Sequence, residues 1–156
     1  MLETSIPGHK DLKLKHLVLD YNGTLACDGE ILGGVPEALA QLAAELEIHV
    51  VTADTFGKAA AELEGCPCRL VVLPVEKQDA GKLAYVRGLG SDSTAAIGNG
   101  RNDRLMLKEA ALGIALIQRE GAAAETLQSA DAVCPDILSA LELLTNPLRL
   151  IATLRS

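Results

Sequence analysis

Aromatic side chains are nearly absent: there is no tryptophan, and Tyr21, Phe56 and Tyr85 are the whole complement. Stacking platforms for nucleic-acid bases are therefore scarce. Basic clusters are missing too. Fourteen Lys and Arg stand against 21 Asp and Glu, a formal charge of −7, which removes the sequence-independent attraction to a nucleic-acid backbone. No apolar run approaches the ~20 residues of a membrane-spanning helix. The opening stretch MLETSIPGHKDLKLKH is polar and mixed in charge, unlike a secretory signal, so the expected compartment is the cytoplasm. Cysteine is sparse as well. Cys27, Cys66, Cys68 and Cys134 form no disulfide ladder, and Cys66-Pro67-Cys68 lacks the second pair or spaced histidines of a metal site. It reads as small residues in a loop before a strand. His9, His16 and His49 fit no motif and read as surface or strand residues.

What is present is aliphatic. With 156 residues and 49% apolar side chains, the chain is expected to form a single domain over residues 1–156 with a substantial core. Short apolar runs at 16–20, 48–52, 70–73, 95–98, 113–116 and 132–134 are rich in Val, Ile and Leu, the pattern of strands buried on both faces of a parallel sheet. Between them lie helical patterns at 35–47, 56–64, 77–89, 102–110, 121–129 and 136–144, with a short last helix at 149–155. Pro36 falls in a first helical turn, where a missing N–H matters least. This alternation predicts a three-layer α/β/α, Rossmann-like fold with a mainly parallel sheet. The Gly-rich stretch 27–34, with Asp28-Gly29 as a hairpin turn, is too short for a cap domain. The active-site mouth is thus expected to be open, or covered by a neighbouring subunit in a homo-oligomer.

In open α/β sheets, ligands bind beyond the carboxyl ends of the strands. The polar residues at those positions are Asp20, Asn22 and Thr24 after the first run, Thr52 and Asp54 after the second, and Asn99, Asn102 and Asp103 after the fourth. Lys77 and Lys82 lie on the third helix. This set suits phosphoryl transfer. A carboxylate can attack phosphorus to form an aspartyl-phosphate, while lysine and Mg²⁺ neutralise the incoming charge. Mg²⁺ takes hard oxygen donors, which Asp20, the Asn22 carbonyl, Asn99 and Asp103 offer.

Four motifs appear in order: DYNGT at 20–24, VVTAD at 50–54, the lysine of GKLAYV at 81–86, and GNGRND at 98–103. Together they resemble the haloacid dehalogenase (HAD) superfamily of phosphohydrolases over residues 16 to about 145. The stretches GNGRNDRLMLKEAALGIAL and ETLQSADAV further resemble the phosphorylation domain of P-type ATPases, without their membrane helices or nucleotide-binding insertion. The layout is also similar to small capless sugar-acid phosphatases. The resemblance implies Asp20 as nucleophile, with Thr52 and Lys82 on the phosphoryl group. Gly23, Ala53 and Asn102 would line the same phosphate site. Asp20, Asn22, Asn99 and Asp103 would hold Mg²⁺. Lys82 is preferred to Lys77 because it begins a helix like the family's.

Two family acids are amides here. Asn22 stands where phosphatases carry the acid that protonates the leaving group and activates water, and an amide does neither. Asn99 stands where a metal-binding Asp is usual. The expected activity is a Mg²⁺-dependent hydrolysis of small phosphomonoesters with slow turnover. The alternatives are a phosphate-binding or regulatory relative, and a pump-domain-like partner subunit.

Overall fold

The computed structural model describes residues 1–156. The chain opens with β1 (Leu2–Ile6) and β2 (Lys10–Leu14), then β3 (His16–Leu19), β4 (Ala26–Cys27), β5 (Glu30–Ile31) and α1 (Val35–Leu42). It continues through β6 (Glu47–Thr52), α2 (Ala59–Glu62), β7 (Arg69–Val72), α3 (Gln78–Leu89), β8 (Thr94–Gly98) and α4 (Arg104–Glu109). β9 (Leu112–Leu116), α5 (Ala124–Ser129), β10 (Ala132–Cys134), α6 (Ile137–Thr145) and α7 (Pro147–Leu154) complete it.

The central sheet has six strands in the order β10-β9-β8-β3-β6-β7, all parallel. β3 therefore sits mid-sheet. The chain moves from it to one side through β6 and β7, then crosses back to lay β8 against its other edge. That reversal separates the loops leaving β3 and β8 and opens a crevice at their carboxyl ends.

Alternate side chains along the strands enter two cores. Leu17, Leu19, Ile48, Val50, Ile97 and Ile114 pack with α1 and α6, whereas Val18, Val51, Ala96 and Ala115 pack with Val86, Met106 and Leu107 of α3 and α4. Helices on both faces of a parallel sheet make three layers, as the alternation predicts. The stretch 27–34 forms the expected hairpin, β4 with β5, and Asp28 and Gly29 both take positive φ, 52° and 83°. No cap domain interrupts the chain there.

The N-terminal segment differs from its sequence reading. β1 and β2 form an antiparallel hairpin whose inward residues Ile6, Leu12 and Leu14 are buried with Leu150 of α7. LETSI and KDLKL alternate polar and apolar residues, so their mean polarity hides one buried face.

Several helices are shorter than their periodic patterns, each for a local reason. Gly57, at φ 69°, and Asp54, at φ 55°, keep the chain turned, so α2 starts at Ala59 instead of 56. Gly121, at φ 72°, likewise postpones α5 to Ala124. The pattern at 35–47 stops as helix at Leu42, because the chain turns to bury Leu46 and enter β6. No single helix is long and apolar enough to cross a membrane.

Candidate active site

Asp20 follows β3 directly, Thr52 ends β6, and Asn99 follows β8, so three strand tips converge at the sheet reversal. Across them lies Lys82, on the second turn of α3 and fully buried. Its Nζ donates to Asp20 Oδ1 and to Asp103 Oδ1, both at 2.7 Å. One cation thus bridges two buried carboxylates. Burial and the neighbouring Asp103 charge push the Asp20 carboxyl up from 3.8 to about 6, against the opposing pull of Lys82. Burial alone would lower Lys82, but Asp20 and Asp103 together hold its ammonium above the ordinary lysine range.

Asp103 is committed on both oxygens. While Oδ1 accepts from Lys82, Oδ2 accepts the backbone N–H groups of Asn99 (3.0 Å) and Gly100 (2.9 Å). That pull tightens residues Arg101–Asp103 into a 3-10 turn and delays α4 to Arg104, where periodicity predicts helix from 102. Asn99 is anchored by Nδ2 on the Gly121 carbonyl. Gly23 lies so close to Asn99 that a Cβ would collide with its amide, and its φ of 80° is a left-handed conformation that suits glycine.

Of the other sequence candidates, Thr24 donates to Asp20 Oδ2 at 3.2 Å. Thr52 is buried, and its Oγ1 accepts the N–H of Asp54 at 3.0 Å. Ala53 follows it, half-buried. Asn102 reaches Lys82 Nζ at 3.5 Å through Oδ1 and holds Gln78 through Nδ2. Lys77 lies apart, in a cleft of about 470 Å³ with Gln78, Arg101, Asn102 and Arg104. A second cleft of about 250 Å³ lies beside Gly23, Cys27, Leu32 and Gln118. The two clefts flank the Asp20–Lys82–Asp103 group, although neither is lined by Asp20.

Gln118 escaped the sequence reading. Its Nε2 donates to the carbonyls of Gly23 and Thr24, and its Oε1 accepts the Ile137 N–H that starts α6. It braces the DYNGT loop. The signal was available, since Gln118 lies just past the apolar run of β9, at another strand tip. Tyr21 braces the same loop from the other side: it is fully buried, and its hydroxyl donates to the Gly29 carbonyl of the hairpin.

The donor set fits a hard divalent cation. Asn22 Oδ1 is buried without any hydrogen-bond partner, and Asp20 Oδ2 has only Thr24 as a donor. Asn99 Oδ1 meets only Thr24 Oγ1, at 3.5 Å. Oxygen donors with one or two carboxylates suit Mg²⁺ that keeps several waters. Asp103 faces the same group through Lys82 and the loop amides, with acceptor capacity left on its carboxylate.

Solved structures of similar fold are HAD-family phosphatases. The cobalt-bound deoxy-D-mannose-octulosonate 8-phosphate phosphatase of Haemophilus influenzae superposes with a TM-score of 0.70 at 14% identity, covering 85% of this chain and 87% of that one. The Moraxella catarrhalis 3-deoxy-D-manno-octulosonate 8-phosphate phosphatase, in complex with magnesium ion, phosphate ion and KDO, gives 0.64 at 19%, covering 90% and 92%. The Yersinia pestis enzyme of the same name gives 0.63 at 16%, covering 88% and 82%. The chain therefore shares the three-layer α/β fold of these phosphatases.

No family model matches the chain. Its sequence relatives include two uncharacterized proteins of Methanocaldococcus jannaschii. One is 57% identical over 60 residues, 38% of this chain and 64% of that protein, so the chain spans just under two thirds of its length. The other is 49% identical over 39 residues, 25% of this chain and 89% of that protein. The chain belongs to the family of these archaeal proteins.

Proposed function

We propose that the chain is a phosphohydrolase of small phosphomonoesters that works through an aspartyl-phosphate on Asp20, with slow release of phosphate. The observation that carries this reading is the buried Lys82 ammonium at 2.7 Å from both Asp20 and Asp103, at the open end of the sheet. A buried lysine with two carboxylates is a costly arrangement for mere folding, whereas beside a nucleophile it neutralises incoming phosphoryl charge.

In the first step an Asp20 oxygen attacks phosphorus, and the ester P–O bond breaks toward the leaving alcohol. Thr24 and Lys82 orient the carboxylate, while Thr52, with Gly23, Ala53 and Asn102 around it, faces the phosphoryl oxygens. Asp20, Asn22, Asn99 and Asp103 would hold Mg²⁺, which supplies positive charge against the phosphoryl oxygens when bound. Asp103 also fixes Lys82 and the Asn99 loop. In the second step water attacks the phosphorus of phospho-Asp20 and frees inorganic phosphate. No side chain at position 22 can donate a proton in the first step or accept one in the second, so good leaving groups react and turnover lags.

The finer likeness to the phosphorylation domain of P-type pumps rests on GNGRND and the segment after it, and it suits a phosphoenzyme that waits for outside help. Asn22 and Asn99 favour a second reading, a phosphate-binding or regulatory protein that kept the fold. Residues 1–156 act as one functional domain. Its four free thiols suit a reducing cytoplasm. Half-exposed Phe56, beside Gly29 of the hairpin, suits contact with a second subunit.

The test is incubation with acetyl phosphate or p-nitrophenyl phosphate and Mg²⁺. A phosphoryl mass gain on Asp20 with little released phosphate is expected. Neither adduct nor release at any Mg²⁺ concentration would favour the non-catalytic reading. Asn22→Asp should accelerate release, by up to about 10²–10⁴-fold. Unchanged release from a measurable phosphoenzyme would contradict the assigned bottleneck.

A further inference from the structure

A second cluster lies at the other end of the same two strands. His16 opens β3, and Glu47 and His49 lie on β6, with His16 registered opposite Glu47. Residue alternation points Glu47 and His49 to one face of the sheet, where His16 meets them. His16 Nδ1 lies 3.3 Å from His49 Nε2 and 3.4 Å from Glu47 Oε2, while His49 Nε2 lies 3.9 Å from Glu47 Oε2.

Those separations carry information. A tetrahedral zinc with ligands at about 2.0–2.1 Å places its ligand atoms about 3.3–3.4 Å apart. Two of the three separations already match, and the third involves Glu47, whose side chain is 74% exposed and free to adjust. An ordinary core histidine needs one partner for each ring nitrogen. Here one nitrogen of each ring and a carboxylate oxygen lie within 3.9 Å of one another.

The surroundings prepare His49 as a ligand. Its Nδ1 is bonded to the Tyr85 hydroxyl at 2.8 Å. In the tautomer whose Nδ1–H donates to Tyr85, the Nε2 lone pair is left for a metal beside His16 and Glu47, the outer-sphere support usual for a ligating imidazole. Burial and the neighbouring His16 lower the His49 imidazole below its ordinary range. Arg69 is registered opposite His49 on β7 and adds a positive charge, which the Glu47 carboxylate offsets.

We infer that His16, Glu47 and His49 form a zinc-binding site that joins the starting ends of β3 and β6, with a fourth position left for water. Two imidazoles and one carboxylate are a nitrogen and oxygen set suited to zinc rather than magnesium. The site lies away from the phosphoryl chemistry. Four residues of strand rise, about 13 Å, separate His16 from Asp20. Its effect is to stabilise the two strands whose far ends carry Asp20 and Thr52.

The experiment is zinc titration of chelator-stripped protein by calorimetry with Mg²⁺ present, alongside thermal melts. One zinc per chain and a melting temperature that climbs with zinc concentration are expected. Co²⁺ in its place should give the intense visible absorption of a tetrahedral site. His49 is deeply buried, so the variants are Glu47→Gln at the surface and His16→Gln at the strand start. Each should weaken zinc by about tenfold or more, with an unchanged circular dichroism spectrum and unchanged Asp20 phosphorylation. Tyr85→Phe should weaken it by about 10- to 100-fold through loss of the orienting hydrogen bond. A protein that binds no zinc overturns the inference and leaves a plain His16–His49 hydrogen bond. So does zinc affinity that is unchanged in both variants, or lost only when Cys66 and Cys68 become serine.

Discussion

Asp20 holds two conflicting requirements in one side chain. In the proposed reaction it must be ionised to attack phosphorus, yet its burial beside Asp103 favours the protonated form, about 6 against an ordinary 3.8. Because the folded value is the higher one, the stability this group contributes is complete below about pH 3.8 and is lost as pH rises through about 6. The shift corresponds to about 3 kcal/mol. Urea unfolding of metal-free protein between pH 4 and pH 7 should show that decline, and Asp20→Asn should remove most of it. Identical slopes in the two proteins would contradict the assignment. Lys82 is the counterpart. Lys82→Met leaves two buried carboxylates facing each other and should cost about 3–5 kcal/mol near neutral pH, as for a broken buried pair. The penalty should shrink in acid, where Asp20 takes up a proton, and phosphoryl transfer to Asp20 should vanish at every pH.

Elements differ in how plainly their sequences announce them. The core strands were legible because strands buried on both faces are continuous runs of Val, Ile and Leu, and LVL or AAI admits few other readings. The β1–β2 hairpin was not, since only alternate residues of LETSI and KDLKL face inward. Its structural weight is nevertheless large. Leu12 is 1% exposed and packs in the larger core, so Leu12→Ala should destabilise the protein by about 2–5 kcal/mol in denaturant unfolding. An effect below about 0.5 kcal/mol would mean that the hairpin is an ornament on an independent domain. Helix starts were overestimated where Gly57, Gly121 and the Asp103 carboxylate hold the chain in turns, because periodicity registers apolar spacing and is blind to backbone conformation.

At the scale of the whole molecule, the fold gathers acidic and amide oxygens at one end of the sheet and a histidine-rich cluster at the other. The two ends should respond to different ions. Adding Mg²⁺ to chelator-treated protein should stabilise it by about 1.4 kcal/mol at ten times its Kd. The increment should disappear in Asp20→Ala and persist in His16→Gln. Mg²⁺ binding should also draw the Asp20 carboxyl down, since a nearby cation favours its ionised form, so the loss of stability between pH 4 and pH 7 should shrink.

The sequence by itself determined the layers, the parallel sheet and the residues at its strand tips, because burial on both faces and strand-end polarity are local patterns along the chain. It also determined the amides at 22 and 99, which no packing can turn into acids. Tertiary structure decided the rest. Which strand adjoins β3, and so where the crevice opens, depends on a crossover that no local pattern records. Only in three dimensions does Asp103 give both oxygens to Lys82 and the loop amides, and Gln118 brace a loop some ninety residues earlier. His16 and His49 carried no motif in the chain. They became a candidate site because β3 and β6 pair in parallel, and register, unlike composition, exists only between strands.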